Sequence, residues 1–273
     1  MKRVELEPAF VLHNRAYRET SLIVEVFGRD TGRFGLVAKG VRRPKSALRG
    51  MLQSFHPLLL SWSGSGELGL LTGAEPDGYM RPLAGQALFS GLYINELLMR
   101  LMHRHDAHPE LFHYYRVAIE SLNQSKATEA VLRIFEKQML ESIGYGLVLD
   151  RDVDSGERIH GDCVYRYEMD RGPTSLETRD GDGVRVAGET LLSLARECLE
   201  SERTLGEAKQ LMRVVLRRYL GDKPLATRSL FRTRVHSAES RDGRGTSPRT
   251  DEVGRSRTPE PGAKQDARAD RTD

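Results

Sequence analysis

The chain has 273 residues, a mass of 30.8 kDa and a formal net charge of +3, a length that suggests two domains at roughly 150 residues each and a charge so small that only its distribution can inform. Two cysteines with no CxxC, Cys163 and Cys198, exclude a disulfide framework and a four-thiolate zinc site within the chain. The opening MKRVELEPAF has no apolar leader core, and no stretch approaches the ~18 apolar residues of a membrane span, so the expectation is a soluble, cytoplasmic protein with no membrane contact.

Residues 1–80 read as strands. Ala9–His13 opens. In Ser21–Phe27 the residues Leu22, Val24 and Val26 share one face at period two. Gly28–Gly32 is a turn cluster, and Arg33–Lys39 returns. Leu52–Trp62 and Leu68–Thr72 form another pair around Ser63–Glu67. Five short strands cannot cover two faces as an open sheet, whereas a small closed barrel removes the unpaired edges.

The period then changes to that of helices. Leu88 to Met102, Leu111 to Leu122 and Val131 to Ile143 give three amphipathic helices with short connections, a bundle. Pro109 suits the first turn of the second, and Gly144 and Gly146 end the third. Residues 147–187 break the pattern. Val164–Met169 alternates like a strand, and Arg179–Gly183 is a turn before Val184–Val186, so a small β-rich insert is expected. Helices resume at Thr190–Leu199 and Leu205–Leu220, with Thr204 and Glu207 as a capping-box pair for the latter. Leu225–Phe231 reads as a short last helix. From Val235 the composition collapses to charges of both signs among Gly, Ser, Thr and Pro. Such a segment buries too little to offset its ordering entropy, so 235–273 is expected to be a disordered, solvating tail.

Between Gly35 and Gly50 the sequence runs GLVAKGVRRPKSALRG, with Lys39, Arg42, Arg43, Lys45 and Arg49 and not one carboxylate. On the rim of a small barrel these cations suit a single-stranded polyanion, with phosphates on Arg and Lys and bases on aromatic rings. Arg15, Arg18 and Arg33 extend the stripe, and Tyr17, Phe34 and Trp62 are the aromatic candidates, the last two reading better as core. A solvated basic loop with no partner is the competing reading, and Pro44, which stiffens the loop, tips the balance slightly toward binding.

No catalytic constellation is legible. Asp150–Glu157 starts like a calcium loop, but Gly156 is one place late and Gly161 stands where a bidentate Glu is needed. His103, His105, His108 and His113 lack the paired spacing of a helical zinc site. GxxxxGK[ST], GxSxG and HExxH are all missing from the sequence. The expectation is a non-enzyme with no cofactor and no metal. A two-metal nuclease and an RNA-binding adaptor built on the same barrel are the rival classes.

The stretches Tyr17–Ser21, Gly35–Ser46, and Leu48 with Leu52 and Gln53 resemble the N-terminal domain of the bacterial RecO family. Gly146–Asp150 with Gly156-Glu157 is similar to that family's central segment, and Lys223–Leu225 with Arg228–Leu230 to its C-terminal end. The resemblance spans roughly residues 5–234. It implies an oligonucleotide/oligosaccharide-binding (OB) barrel at 1–80, then a helical domain at 81–234 carrying the insert at about 147–187. It implies a mediator of DNA repair and recombination, associated with the nucleoid, that binds single- and double-stranded DNA and anneals complementary strands. With RecR it would help RecA load onto DNA coated by single-strand binding protein (SSB), whose acidic C-terminal tail it would contact. An apolar groove beside cations of the helical domain is the expected docking place, with Arg116, Arg133 and Lys137 as exposed candidates. Many relatives carry a four-cysteine zinc module in the insert. Here Asp152-Val153-Asp154 stands where the first thiolates belong and only Cys163 is near, so no bound zinc is expected.

Overall fold

Period-two alternation in the first third closes on itself. Strands β1 (Arg3–Tyr17), β2 (Ser21–Gly28), β3 (Gly32–Ala38), β4 (Pro57–Ser63) and β5 (Leu68–Pro76) form a closed barrel in the order β1-β2-β3-β5-β4. Four of the five seams are antiparallel, while β3 meets β5 in parallel from Gly35↔Leu68 to Val37↔Leu70. Val11, Val24, Val26, Leu36, Leu60 and Trp62 point inward and fill the barrel. The computed structural model describes residues 3–64, 66–124, 127–176 and 182–227. These fall in one unit, Met1–Thr233.

The strand expected from Leu52 begins only at Pro57. Leu52 and Phe55 are buried, as the apolar run suggested, but Phe55 holds φ +72°, which breaks an extended chain.

Helices α1 (Gly85–Leu101), α2 (Pro109–Gln124) and α3 (Thr128–Ser142) follow. The insert is a three-stranded sheet in which β6 (Val164–Glu168) lies between β7 (Gly172–Ser175) and β8 (Val184–Ala187). The Gly-Pro-Thr-Ser composition of β7 hides it from any strand pattern. As an edge strand it tolerates Pro173, which has no N–H to give. Helices α4 (Gly188–Ala195) and α5 (Glu202–Leu220) complete the layer. The cap of α5 is Ser201, whose hydroxyl accepts the Thr204 amide at 3.1 Å, and not the expected Thr204–Glu207 pair. Glu207 instead accepts the Ala187 amide at 2.9 Å and the Thr190 hydroxyl at 2.7 Å, tying β8 and α4 to α5.

The barrel and the helices share a core. Phe10, Leu12 and Phe27 face out of the barrel and pack among Phe112, Tyr115 and Phe135. The Phe10–Tyr115 centroids lie 4.9 Å apart and the Phe27–Phe112 centroids 5.5 Å, within the favourable range for edge-on aromatic pairs. At Leu12 the β1–β2 register slips, freeing its carbonyl from the ladder. The Asn95 amide of α1 donates to that carbonyl at 2.8 Å, and the Tyr115 hydroxyl donates to Asn95 Oδ1 at 2.8 Å. Gly32, at φ +71°, closes the β2–β3 turn directly against the Asp106 carbonyl, where a β-carbon would collide.

No helix among the described residues is long and apolar enough to cross a membrane. The expected tail at 235–273, and most of the helix expected at 225–231, lie outside the described residues.

Candidate nucleic-acid interface

An apolar strand that ends in a glycine can turn sharply, and β3 does so. Ala38 is buried, Lys39 is exposed, and Gly40 adopts φ +70°, a left-handed conformation that a side chain would strain. The chain then makes consecutive tight turns, Arg43 N to Gly40 O at 3.1 Å and Ser46 N to Arg43 O at 3.1 Å, before one turn of 3-10 helix at Ala47–Arg49. Val41 is buried and anchors this segment to the barrel core. Arg42, Arg43, Lys45 and Arg49 are all exposed around it.

The loop is fixed to the neighbouring β1–β2 turn. The Arg42 amide donates to Thr20 O at 2.9 Å, and its guanidinium donates to Arg18 O at 3.3 Å. Arg18 itself holds φ +51° and lays its guanidinium 5.1 Å from the Tyr17 ring centroid, a cation–π distance. Tyr17, Arg18, Lys39, Gly40 and Arg43, with the start of β5 at Leu68–Leu70, line an open groove of ≈ 680 Å³. In five-stranded barrels of this type the β2–β3 face and the β1–β2 and β4–β5 loops bind oligonucleotides. The groove lies between the same elements.

Seven of the eight cations expected on the rim, Arg15, Arg18, Lys39, Arg42, Arg43, Lys45 and Arg49, are exposed, and among the described residues none pairs with a carboxylate. Gathering like charges without counter-charge is unfavourable for the isolated protein and favourable once a polyanion supplies it. Arg18, Lys39 and Arg43 line the groove itself, with Arg42 bonded to its edge. Arg15 stands on β1, and Lys45 and Arg49 lie further along the loop.

Arg33 is the exception. Its guanidinium donates to the Met99 carbonyl at the end of α1, where burial, partly offset by Glu25, lowers its pKa. It belongs to the junction with the helical layer and not to the rim, because it stands at the start of β3, where the end of α1 lies beside the strand, while Lys39 follows the strand's other end. Phe34 and Trp62, 1% and 4% exposed with ring centroids 5.0 Å apart, are core. That leaves Tyr17 as the aromatic face at the groove.

The helical-domain cations proposed from sequence do not stand free. Arg133 is buried and pairs with Glu136 at 2.7 Å. Lys137 pairs with Glu197 at 2.8 Å, and Arg116 with Asp77 at 3.3 Å. Sequence missed a cleft of ≈ 300 Å³ between the Gly144–Val148 segment and α5. Its walls include Tyr145, Leu147, Tyr167 and Val215, with Arg171 and Arg218 at the edge. The Tyr145 and Tyr219 rings meet there at 4.4 Å.

In the insert, the position where a family zinc module would begin is occupied by hydrogen bonding. Asp152 Oδ1 accepts the Asp154 and Ser155 amides at 2.8 and 3.1 Å, and Oδ2 accepts the Ser175 amide of β7 at 2.7 Å. Burial works to raise this carboxyl's pKa, but the three amides outweigh it and hold it below the usual range. With Asp152 consumed by backbone, and no group of three His, Cys, Asp or Glu poised for a metal among the described residues, the donor set does not fit zinc.

Two family models match this chain: "Recombination protein O N terminal" over residues 1–79 and "Recombination protein O C terminal" over residues 83–229. A protein named "DNA repair protein RecO" from Azoarcus sp. strain BH72 is 46% identical over 234 residues, covering 84% of this chain and 96% of that protein. Its namesake from Alkalilimnicola ehrlichii is 50% identical over 233 residues, covering 84% and 92%. The one from Cupriavidus metallidurans is 44% identical over 230 residues, covering 84% and 77%. A closed five-stranded barrel with a cationic rim, continued by a helical layer with a small sheet, the first matched by one model and the second by the other, places the chain in the RecO family.

Proposed function

We propose that this protein is a DNA repair and recombination mediator that binds single- and double-stranded DNA through the barrel, residues 1–80, and anneals complementary strands without making or breaking covalent bonds. The observation that carries the reading is the cluster of unneutralised cations around the Tyr17–Arg43 groove. A cationic surface lowers the repulsion between two phosphate backbones, so that complementary strands can meet. The family membership supports a role with RecR in helping RecA load onto SSB-coated single strands. The helical domain, residues 81–234, would then serve partners.

For the acidic tail of SSB, the Tyr145–Tyr219 cleft is the better candidate than Arg116, Arg133 or Lys137. It offers an apolar floor beside Arg218, with Arg171 held at its edge by Asp154 and Glu168 at 2.7 and 2.6 Å. Arg218 is paired only at the surface, with Asp170 at 3.3 Å, so an incoming carboxylate can exchange for it at little cost. Titration with a tail peptide tests this, and no binding by the full chain counts against it.

The deciding experiment is annealing of SSB-coated complementary oligonucleotides by the wild-type chain and by Arg42→Glu/Arg43→Glu. Wild-type annealing and a large loss in the variant are expected. Competition between single-stranded DNA, double-stranded DNA and RNA separates this reading from an RNA-binding adaptor. Cleavage of labelled DNA in magnesium or manganese would instead favour a nuclease.

A further inference from the structure

The groove on the barrel ends at Leu68, where the β4–β5 loop meets the helical layer. Arg104, in the segment after α1, reaches this corner. Its guanidinium pairs with Glu25 and approaches the Glu67 carbonyl at 3.5 Å. It lies over Gly35, where a β-carbon would come within 3.2 Å of Nη1 and would clash with Leu68. Four residues earlier, Arg100 donates to the carbonyls of Leu220, Lys223 and Pro224 at 2.6, 2.8 and 3.4 Å. The two arginines are separated by at most ~14 Å of chain. The corner of the barrel groove and the end of α5 are therefore linked through one short segment, a span that a long oligomer can bridge.

The end of a helix is ordinarily a poor place for an anion, because its free carbonyls carry negative partial charge. Here the Arg100 guanidinium covers one of those carbonyls, that of Leu220, and two just beyond the helix, those of Lys223 and Pro224. Beyond it Arg213, Arg217 and Lys223 are exposed and, among the described residues, make no ion pair. With Leu220, Gly221 and Pro224 they line a second groove, of ≈ 220 Å³. The other cations of this stretch are committed, Lys209 to Glu129 at 3.0 Å and Arg218 to Asp170 at 3.3 Å. Arg213 and Arg217, one helical turn apart, thus form a strip that runs toward Lys223 and Arg100. Four acids interrupt it: Asp222 in the groove, Glu67 and Glu25 at the barrel corner, and Glu96 beside Arg100.

We infer that a single DNA strand held on the barrel continues past Leu68 and the Arg104–Arg100 step onto Arg213, Arg217 and Lys223, so that one binding track spans the barrel and α5. This rests on the proposed barrel site and extends it. An acidic peptide is the other polyanion such a strip could take. The strand is favoured because three cations, unpaired among the described residues and spaced along a line, match a chain of phosphates, whereas the cleft walled by the paired Tyr145 and Tyr219 rings suits a peptide.

The test is titration of the full chain with fluorescent thymidine oligomers of about 8 and about 30 nucleotides, which bracket the ~4–16 nucleotides an OB fold covers by itself. Arg213→Glu/Arg217→Glu should leave the short oligomer's affinity unchanged. It should weaken the long one by at least about 25-fold at ~0.1 M salt, the counterion term for two lost phosphates before any added repulsion, and reduce its salt slope by about 1.4. The neutral pair Arg213→Gln/Arg217→Gln, which keeps helix propensity, should shift the long oligomer in the same direction by less. Equal losses on both lengths, no loss on either, or loss only of acidic-peptide binding would each overturn the extended track. Failure of the short oligomer to bind the wild-type chain would sink the barrel site and the track together.

Discussion

Reversing the charge of Arg42 and Arg43 separates a binding surface from a solvated loop. Arg18, Lys39, Arg42 and Arg43 surround the groove. If each neutralises one phosphate of a single strand, the slope of log affinity against log salt is about −3, at ~0.7 per phosphate. Between about 50 and 200 mM salt the wild-type chain should then lose roughly 50-fold in affinity. Arg42→Glu/Arg43→Glu removes two of the four contacts and adds repulsion. Its residual binding should change only about 7-fold over the same range, from a starting affinity lower by at least an order of magnitude. The fold should survive, since both side chains are exposed and the one bond lost is a 3.3 Å contact from Arg42 to the Arg18 carbonyl. Fluorescence anisotropy with an oligothymidine at four salt concentrations measures the slope, and circular dichroism checks the fold. Unchanged affinity and an unchanged slope in a folded variant would refute the electrostatic reasoning.

Asn95→Leu should destabilise the protein by about 1–3 kcal/mol, since it leaves the buried Tyr115 hydroxyl without its partner and the Leu12 carbonyl with only a long 3.4 Å bond from the Ser54 hydroxyl; denaturant unfolding reads this, and a change under ~0.5 kcal/mol would show that the bond does not hold barrel to helices. Arg133→Met alone should cost about 3–5 kcal/mol by stranding buried Glu136, whose pKa burial already raises, whereas Arg133→Met/Glu136→Leu should recover most of that loss; equal instability of the single and double variants would contradict it. For Asp152 the folded pKa is depressed, so its contribution is fully present above the unfolded value of ~3.9 and is lost as pH falls through the folded value; hydrogen exchange at the Ser155 and Ser175 amides should accelerate only below about pH 4, and should not respond to a metal chelator. Acceleration by the chelator at neutral pH would reveal a metal that Asp152 does not replace.

Much of this architecture is local and therefore legible in sequence. Alternation at Leu22, Val24 and Val26, turn glycines at 28 and 32, and helical spacing from Leu88 to Ile143 each record a choice made within a few residues. The cation run at 39–49 is equally local, as is the lack of any carboxylate within it. What sequence could not decide are the pairings between distant segments. β7 exists only because β6 hydrogen-bonds to it. Arg33 leaves the rim only because the end of α1 lies beside β3. Arg133 and Lys137 look like surface cations on a helix and are consumed by Glu136 and Glu197 of the folded chain. The same holds for Glu207, which reads as a cap and acts as a cross-link, and for Arg100, which ties the end of α5 to α1. Charge and period are written residue by residue, but whether a charge remains available to a ligand depends on which groups the tertiary fold brings within reach of it.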